Sequence, residues 1–284
     1  MAKNAQILLD SKNAITGDRA TTFLLPRFPY ALIQEPATHR ILHGEHLTEP
    51  WSPFPVELSR NSASMRAIPI KKVIERIYED PYFPIWTAAN KGMVGLHTLT
   101  EQDKSRADIR WRTALDSAVE EVEYYQKLGI AKQDANRALQ RFMRIPIIIT
   151  GTEWDNFFKL RTAPDVQPDF RETALEMKAL YDESQPQTLQ IGQWHIPFGD
   201  RLPDGLSLLD TLKVSAARHA RISYATHDGI IDVNRDFGMC DDLISGGHMS
   251  PLGHQLKATY QDRANYKGFT SFRWYIENNQ EDLL

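Results

Sequence analysis

The sequence predicts an α+β protein, on three observations. Ile70, Val73, Ile74 and Ile77 follow the i, i+3, i+4, i+7 spacing of an amphipathic helix. Trp111, Ala114, Leu115, Ala118, Val122 and Tyr125 carry an apolar stripe of the same kind along a longer stretch. Ile145-Pro146-Ile147-Ile148-Ile149 is an apolar run of strand length. Helices are expected to outnumber strands.

In chain order, Thr21 to Glu35 reads as a strand pair or extended segment, its apolar Phe23-Leu24-Leu25 and Tyr30-Ala31-Leu32-Ile33 broken by Pro26 and Pro29. The first helix follows Pro69. The second runs from about Ser105 to Leu128, with Gly129 as its stop. A helix from Asp134 to Phe142, the strand Ile145 to Thr150 and a short helix from Glu153 to Leu160 come next. Pro168 suits the first position of a helix that reaches Tyr181. Ser184 to Leu206, rich in Pro, Gly, Gln and Asp, is expected to be loop with little regular structure. Helices Ser207 to Ala220 and Arg235 to Ser245 follow, the latter closed by Gly246-Gly247. No repeat, low-complexity tract or linker divides the chain, so residues 1–284 are taken as a single domain.

The 284 residues are 42% hydrophobic and 25% charged, enough for a core without a metal or disulfide to hold it. The single cysteine, Cys240, excludes an intrachain disulfide and favours a reducing compartment. The stretch from Met1 to Ala20 lacks a signal-peptide core, and no run approaches the about 20 apolar residues of a membrane span. A cytoplasmic protein is expected. A net charge of −4 argues against nucleic acid or an anionic membrane as partner, since both reward a broad basic face. It leaves room for a small phosphorylated ligand held by a few arginines.

The densest polar cluster is Ser59-Arg60-Asn61-Ser62-Ala63-Ser64-Met65-Arg66, just ahead of the Pro69 helix. Small polar side chains with two arginines suit an oxyanion near a helix start. They equally suit an N-capping serine-rich turn with solvated arginines. His43-Gly44-Glu45-His46 lacks both the partner ligands and the helical spacing of a zinc site, so no metal is expected. Cys240 shares a helical face with Phe237, Leu243 and Ile244 and reads as a buried thiol, not a nucleophile. No Gly-x-Gly-x-x-Gly or Walker-type loop occurs, so a bound flavin would not be held in Rossmann fashion.

Three blocks resemble the flavin-dependent thymidylate synthase family. That family's signature is Arg-His-Arg, two residues, then Ser-x-Asn-x-x-Ser-x-Arg. Ser59, Asn61, Ser64 and Arg66 reproduce its second half, and Thr38-His39-Arg40 is similar to the first, with an insertion of roughly 43–57 between them. Asn156-Phe157-Phe158-Lys159-Leu160-Arg161 resembles the family's Asn-Phe-x-x-Leu-Arg, followed by Asp165-Val166-Gln167 and preceded by Asn136-Arg137. His248-Met249-Ser250-Pro251-Leu252-Gly253-His254 is similar to its His-x-Ser/Thr-Pro-Phe-Glu-His, with Ala220-Arg221-Ile222-Ser223-Tyr224 ahead of it. This last block stands first in most members. Its place here implies a circular permutation, an order that also resembles a virus-encoded branch. Thr38, Ser62 and Gly253 depart from the family's arginine and two glutamates.

The resemblance implies a helix-rich fold around a small mixed or antiparallel sheet, with motif order permuted. It implies methylation of deoxyuridylate at C5, with methylenetetrahydrofolate as carbon donor and NADPH-reduced FAD as hydride source. By matching position, Arg161, Ser64 and Arg66 are the catalytic group. The nucleotide falls to Ser62, Ala63, Ser64, Arg66, Arg137 and Arg161, and the FAD to His39, Arg40, Asn61, Asn156, Ser223, His248 and Ser250. Ser223 and the His248 segment are expected beside His39 and Asn61 in space. A homotetramer with shared flavin sites is implied. The departures at Ser62 and Gly253 keep two alternatives open: altered pyrimidine chemistry (hydroxymethylation or a cytosine nucleotide), and a non-catalytic nucleotide-binding homologue.

Overall fold

The computed structural model describes residues 4–33, 35, 57–60, 69–89, 97–199, 202, 204–220, 232–263 and 265–278. The main sheet is built on a hairpin of β1 (Gln6–Asn13) and β2 (Arg19–Pro29), turned through Gly17 at a φ of +80°, a region glycine enters without steric cost. The strand read from Ile145 to Thr150 spans Arg144–Gly151. It pairs antiparallel with β2, so that Phe23 faces Ile149 and Leu25 faces Ile147. In chain order it is the sixth strand, β6. Its free edge is covered by β3 (Glu57–Arg60), with Ser59 opposite Ile148 and Arg60 opposite Ile147. A short strand, β7 (Gln187–Leu189), runs parallel to β1 and completes the order β3-β6-β2-β1-β7.

One face of this sheet is apolar and the other polar, because side chains alternate along each strand. Phe23, Leu25, Ile147 and Ile149 pack against Trp154, Phe157 and Phe158 of α4 (Trp154–Arg161) and Phe170, Ala174 and Met177 of α5 (Pro168–Glu183). As expected, Pro168 opens α5, with the Gln167 side chain accepting from the Phe170 N–H as its N-cap. Behind the helices, Trp154 meets Phe23 edge-on at 5.0 Å between centroids and stacks on Phe158 at 5.8 Å.

A second core joins α1 (Ile70–Glu79), α2 (Glu101–Lys127) and α3 (Lys132–Arg137) through Ile70, Val73, Ile77, Leu115, Val119, Val122 and Leu139. The apolar stripes read from the sequence supply most of it. Helix α2 begins four residues before the expected Ser105, because Thr100 caps it by accepting from the Asp103 N–H at 3.1 Å. Gly129, at a φ of +73°, ends it as expected. The helix expected from Asp134 to Phe142 is instead α3 followed by a separate 3-10 turn, Gln140–Phe142.

A third core holds Leu212, Ala216 and Ala217 of α6 (Leu208–Ala220), Cys240 of α7 (Val233–Ser245), Leu252, and Phe272 and Tyr275 of α8 (Phe272–Glu277). Beside it lies an antiparallel sheet of β8 (Trp194–His195), β9 (Leu256–Ala258) and β10 (Phe269–Ser271). A two-stranded pair, β4 (Thr87–Ala88) and β5 (His97–Thr98), completes the elements.

The class is α+β, with one mixed and two antiparallel sheets. As expected, helices predominate among the described residues: eight α-helices and three 3-10 turns beside ten strands, many of them only two to four residues long. The Ser184 to Leu206 stretch holds little regular structure, as expected: the short β7 and β8 lie in it. Strands of two or three residues have no period to read and exist only because a partner edge is available. No helix among the described residues is long and apolar enough to cross a membrane.

Candidate active site

Arg161 closes α4, where a cation is favoured by the unpaired carbonyls of the helix end. Glu35 holds its guanidinium through two oxygens. Nη1 donates to Glu35 Oε2 at 2.7 Å and Nη2 to the Glu35 main-chain oxygen at 3.1 Å. Its Cζ lies 5.1 Å from the centroid of the Phe170 ring. Charge-assisted bonds to two oxygens and an aromatic floor keep the cation in one orientation. On the same helix Phe157 and Phe158 are buried, as expected of core residues, while Asn156 is exposed.

Arg137 lies at the end of α3, exposed, 3.5 Å from Asp134 of its own helix. Its neighbour Asn136 is the buried member of the pair, with Oδ1 lacking a hydrogen-bond partner. None of the described contacts joins Arg137 to Arg161.

The third block is set by the end of α7. Gly247, at a φ of +70°, donates to the Ile244 carbonyl at 3.1 Å, and the His248 N–H donates to that of Leu243 at 2.8 Å. These two bonds make a Schellman motif, which fixes the backbone of His248 while its imidazole stays exposed. Ser250 opens a 3-10 turn, Ser250–Gly253, and is half-buried. That turn lies against β3. Segments almost two hundred residues apart therefore meet: the His248 block and the strand carrying Ser59 and Arg60. Gly253 is buried, and its carbonyl accepts from the Tyr266 hydroxyl at 2.8 Å.

Thr38, His39, Arg40, Asn61, Ser62, Ala63, Ser64, Arg66 and Ser223 lie outside the described residues, as do residues 43–56 of the insertion. Of the expected site, the described part is Arg161, Asn156, Arg137, His248 and Ser250. In kind, the two arginines suit the nucleotide expected of them, and Asn156, His248 and Ser250 the expected flavin. An arginine suits phosphate or carbonyl oxygens, and Asn, His and Ser suit the polar edge of a flavin ring.

Two features escaped the sequence reading. Glu35 carries no motif of its own and is found only through Arg161. The other is a buried polar chain across the second face of the main sheet. His195 Nδ1 shares a hydrogen bond with Ser11 Oγ at 2.7 Å, and its Nε2 one with Thr22 Oγ1 at 2.8 Å. Thr22 continues to Thr150 at 2.8 Å, and Thr150 to His254 Nδ1 at 2.8 Å. Burial holds the imidazoles well below the ordinary histidine range: His195 at about 3 and His219 at about 4. His254, the last residue of the third block, is lowered by burial and by the other two histidines. Cys240 is buried, and loss of solvent pushes its thiol up to about 11. A nucleophile needs the opposite shift, so the expectation of an inert thiol holds.

No curated protein matches the chain. Residues 20–187, more than half of its length, match the family model described as thymidylate synthase complementing protein. The matched stretch takes in the first two blocks, with β2, β3 and Arg161, and ends before the His248 block. The chain therefore belongs to the thymidylate synthase complementing protein family, and this membership implies flavin-dependent thymidylate synthesis.

Proposed function

We propose that the whole chain, 1–284, is one catalytic domain that methylates deoxyuridylate at C5, with methylenetetrahydrofolate as carbon donor and NADPH as reductant. The family implies FAD and folate as its cofactors and deoxyuridylate as its substrate. When bound, the flavin supplies the hydride chemistry. The protein binds and orients. Arg161 and Arg137, with Ser62, Ala63, Ser64 and Arg66, hold the nucleotide, and Arg161 offers fixed positive charge to the pyrimidine as C5 becomes nucleophilic. His39, Arg40, Asn61, Asn156, Ser223, His248 and Ser250 hold the flavin.

The observation that carries this reading is the packing of the Ser250–Gly253 turn on β3. It supports a circular permutation, in which a block that leads the chain in most members returns to the same site from the C-terminal side. Permutation preserves a site when the contacts are kept and only the connection moves. Assembly as a cytoplasmic homotetramer belongs to the same proposal.

The test is spectroscopic. The purified protein takes up FAD, NADPH bleaches it without oxygen, and deoxyuridylate with the folate gives a product of thymidylate mass. Failure to take up FAD at tens of micromolar, ample for a working cofactor site, sinks the reading. Light scattering that finds only monomer with FAD and nucleotide bound removes the tetramer. A second reading, altered pyrimidine chemistry, is favoured by one observation: Gly253 stands buried where the resemblance puts a glutamate. The same product mass separates the two, since hydroxymethylation adds an oxygen.

A further inference from the structure

We propose that Glu35 is the positioning residue of Arg161, fixing the guanidinium against the pyrimidine; this rests on the function proposed above. The grip has an unusual division. Glu35 takes one N–H of Nη1 through its carboxylate and one N–H of Nη2 through its main-chain oxygen. The side-chain ion pair and the backbone of the same residue thus define both position and tilt of the guanidinium plane, and Phe170 limits it from one side. A guanidinium has five N–H donors, and these two bonds use two of them.

Sequence position ties the pair to the site. Glu35 follows the 3-10 turn Tyr30–Leu32 at the end of β2 and precedes His39 and Arg40 by four and five residues. The pair is half-open, with the Arg161 side chain 19% exposed and that of Glu35 39%. Fixed charge stabilises a developing anion only if it need not reorganise as the charge grows. Holding Arg161 by a residue that is not itself the ligand satisfies that condition. Glu35 is given no contact with substrate.

The experiment compares Glu35→Gln and Glu35→Ala in the full-length, FAD-loaded protein. Glu35→Gln keeps the shape, one acceptor oxygen and the main-chain bond while removing the ionic hold. Because positioning acts on the transition state, Glu35→Gln lowers kcat about tenfold and moves KM for deoxyuridylate less than about threefold. Glu35→Ala lowers kcat further. In an Arg161→Lys background, where the forked grip is already lost, Glu35→Gln costs less than about twofold more, the non-additive result expected of groups acting as one unit. Multiplying effects in that background, or an unchanged kcat in both Glu35 variants, overturn the proposal. So does tighter deoxyuridylate binding by calorimetry in Glu35→Gln, which identifies the carboxylate as a competitor for Arg161. Wild-type protein that neither binds deoxyuridylate nor makes thymidylate sinks the underlying function, and the positioning role with it.

Discussion

The imidazoles of His219 and His254 stack at 4.5 Å between centroids and 15° between planes, both fully buried. His219 belongs to α6, whereas His254 follows the Ser250–Gly253 turn and reaches Thr150 of β6. The stack therefore joins the C-terminal third to the sheet that carries the family signature. His219 is anchored through Nδ1 to the Ser215 carbonyl at 2.8 Å, and its Nε2 has no hydrogen-bond partner. Protonating either ring would put a cation against its neighbour in a site without solvent, which is why both remain neutral.

Stability is accordingly expected to fall on mild acidification. The folded values are depressed, to about 3 for His195 and about 4 for His219, from an ordinary 6.5. Their contribution is complete above pH about 6.5 and is lost as pH falls from there through about 4 and then 3, because the unfolded chain binds the protons first. Each histidine adds a slope of up to about 1.4 kcal/mol per pH unit. Urea unfolding at a series of pH values between 4 and 8 measures it, and a flat profile from about 6.5 to 4.5 would contradict the burial of the trio.

Thr150→Val is expected to cost about 1–3 kcal/mol in the same assay, the range for leaving buried polar groups unpaired. The substitution keeps shape but removes the hydroxyl shared by Thr22 and His254. A variant as stable as the parent would mean the chain of bonds is not made.

Cys240→Ala and Arg161→Ala separate two ways of activating a pyrimidine. With its thiol at about 11 and buried, Cys240 can be removed with turnover largely intact and a packing loss of about 1 kcal/mol. Arg161→Ala lowers turnover about a hundredfold, a typical loss for one preorganised charge. Loss of product in folded, flavin-loaded Cys240→Ala, with retention in Arg161→Ala, would reverse the assignment.

Gly268→Ala tests how β10 is joined to the β1–β2 turn. Gly268 has a φ of +64°, and an added Cβ would fall 2.5 Å from Asp18 Oδ2 and 2.5 Å from Thr16 Oγ1. Its carbonyl also accepts from Asn13 Nδ2 at 2.8 Å. Backbone strain and steric overlap together cost about 1–3 kcal/mol. A melting temperature within a degree of the parent would show that the turn yields freely.

Local patterns made the long elements legible. The apolar spacing of Ile70 to Ile77 and of Trp111 to Tyr125, the isoleucine run before Thr150, Pro168 at a helix start and Gly129 at a helix end all act within a few residues, so the sequence by itself determined them. It also carried the residues of the family resemblance: the Ser59–Arg66 cluster, Arg161 and the His248 block. What pairs with what was decided only by tertiary structure. Strands β7 to β10 are too short to show alternation, and β1 presents Ser11 on a polar face that a sequence reader assigns to solvent. That face is buried because Thr22 and Thr150 meet His195 and His254, residues supplied by distant segments, and each polar group satisfies the next. Glu35 finds Arg161 across 126 positions in the same way. Hydrogen bonds and ion pairs between remote residues have no period and no fixed spacing, and only the folded chain brings them within 3 Å of each other.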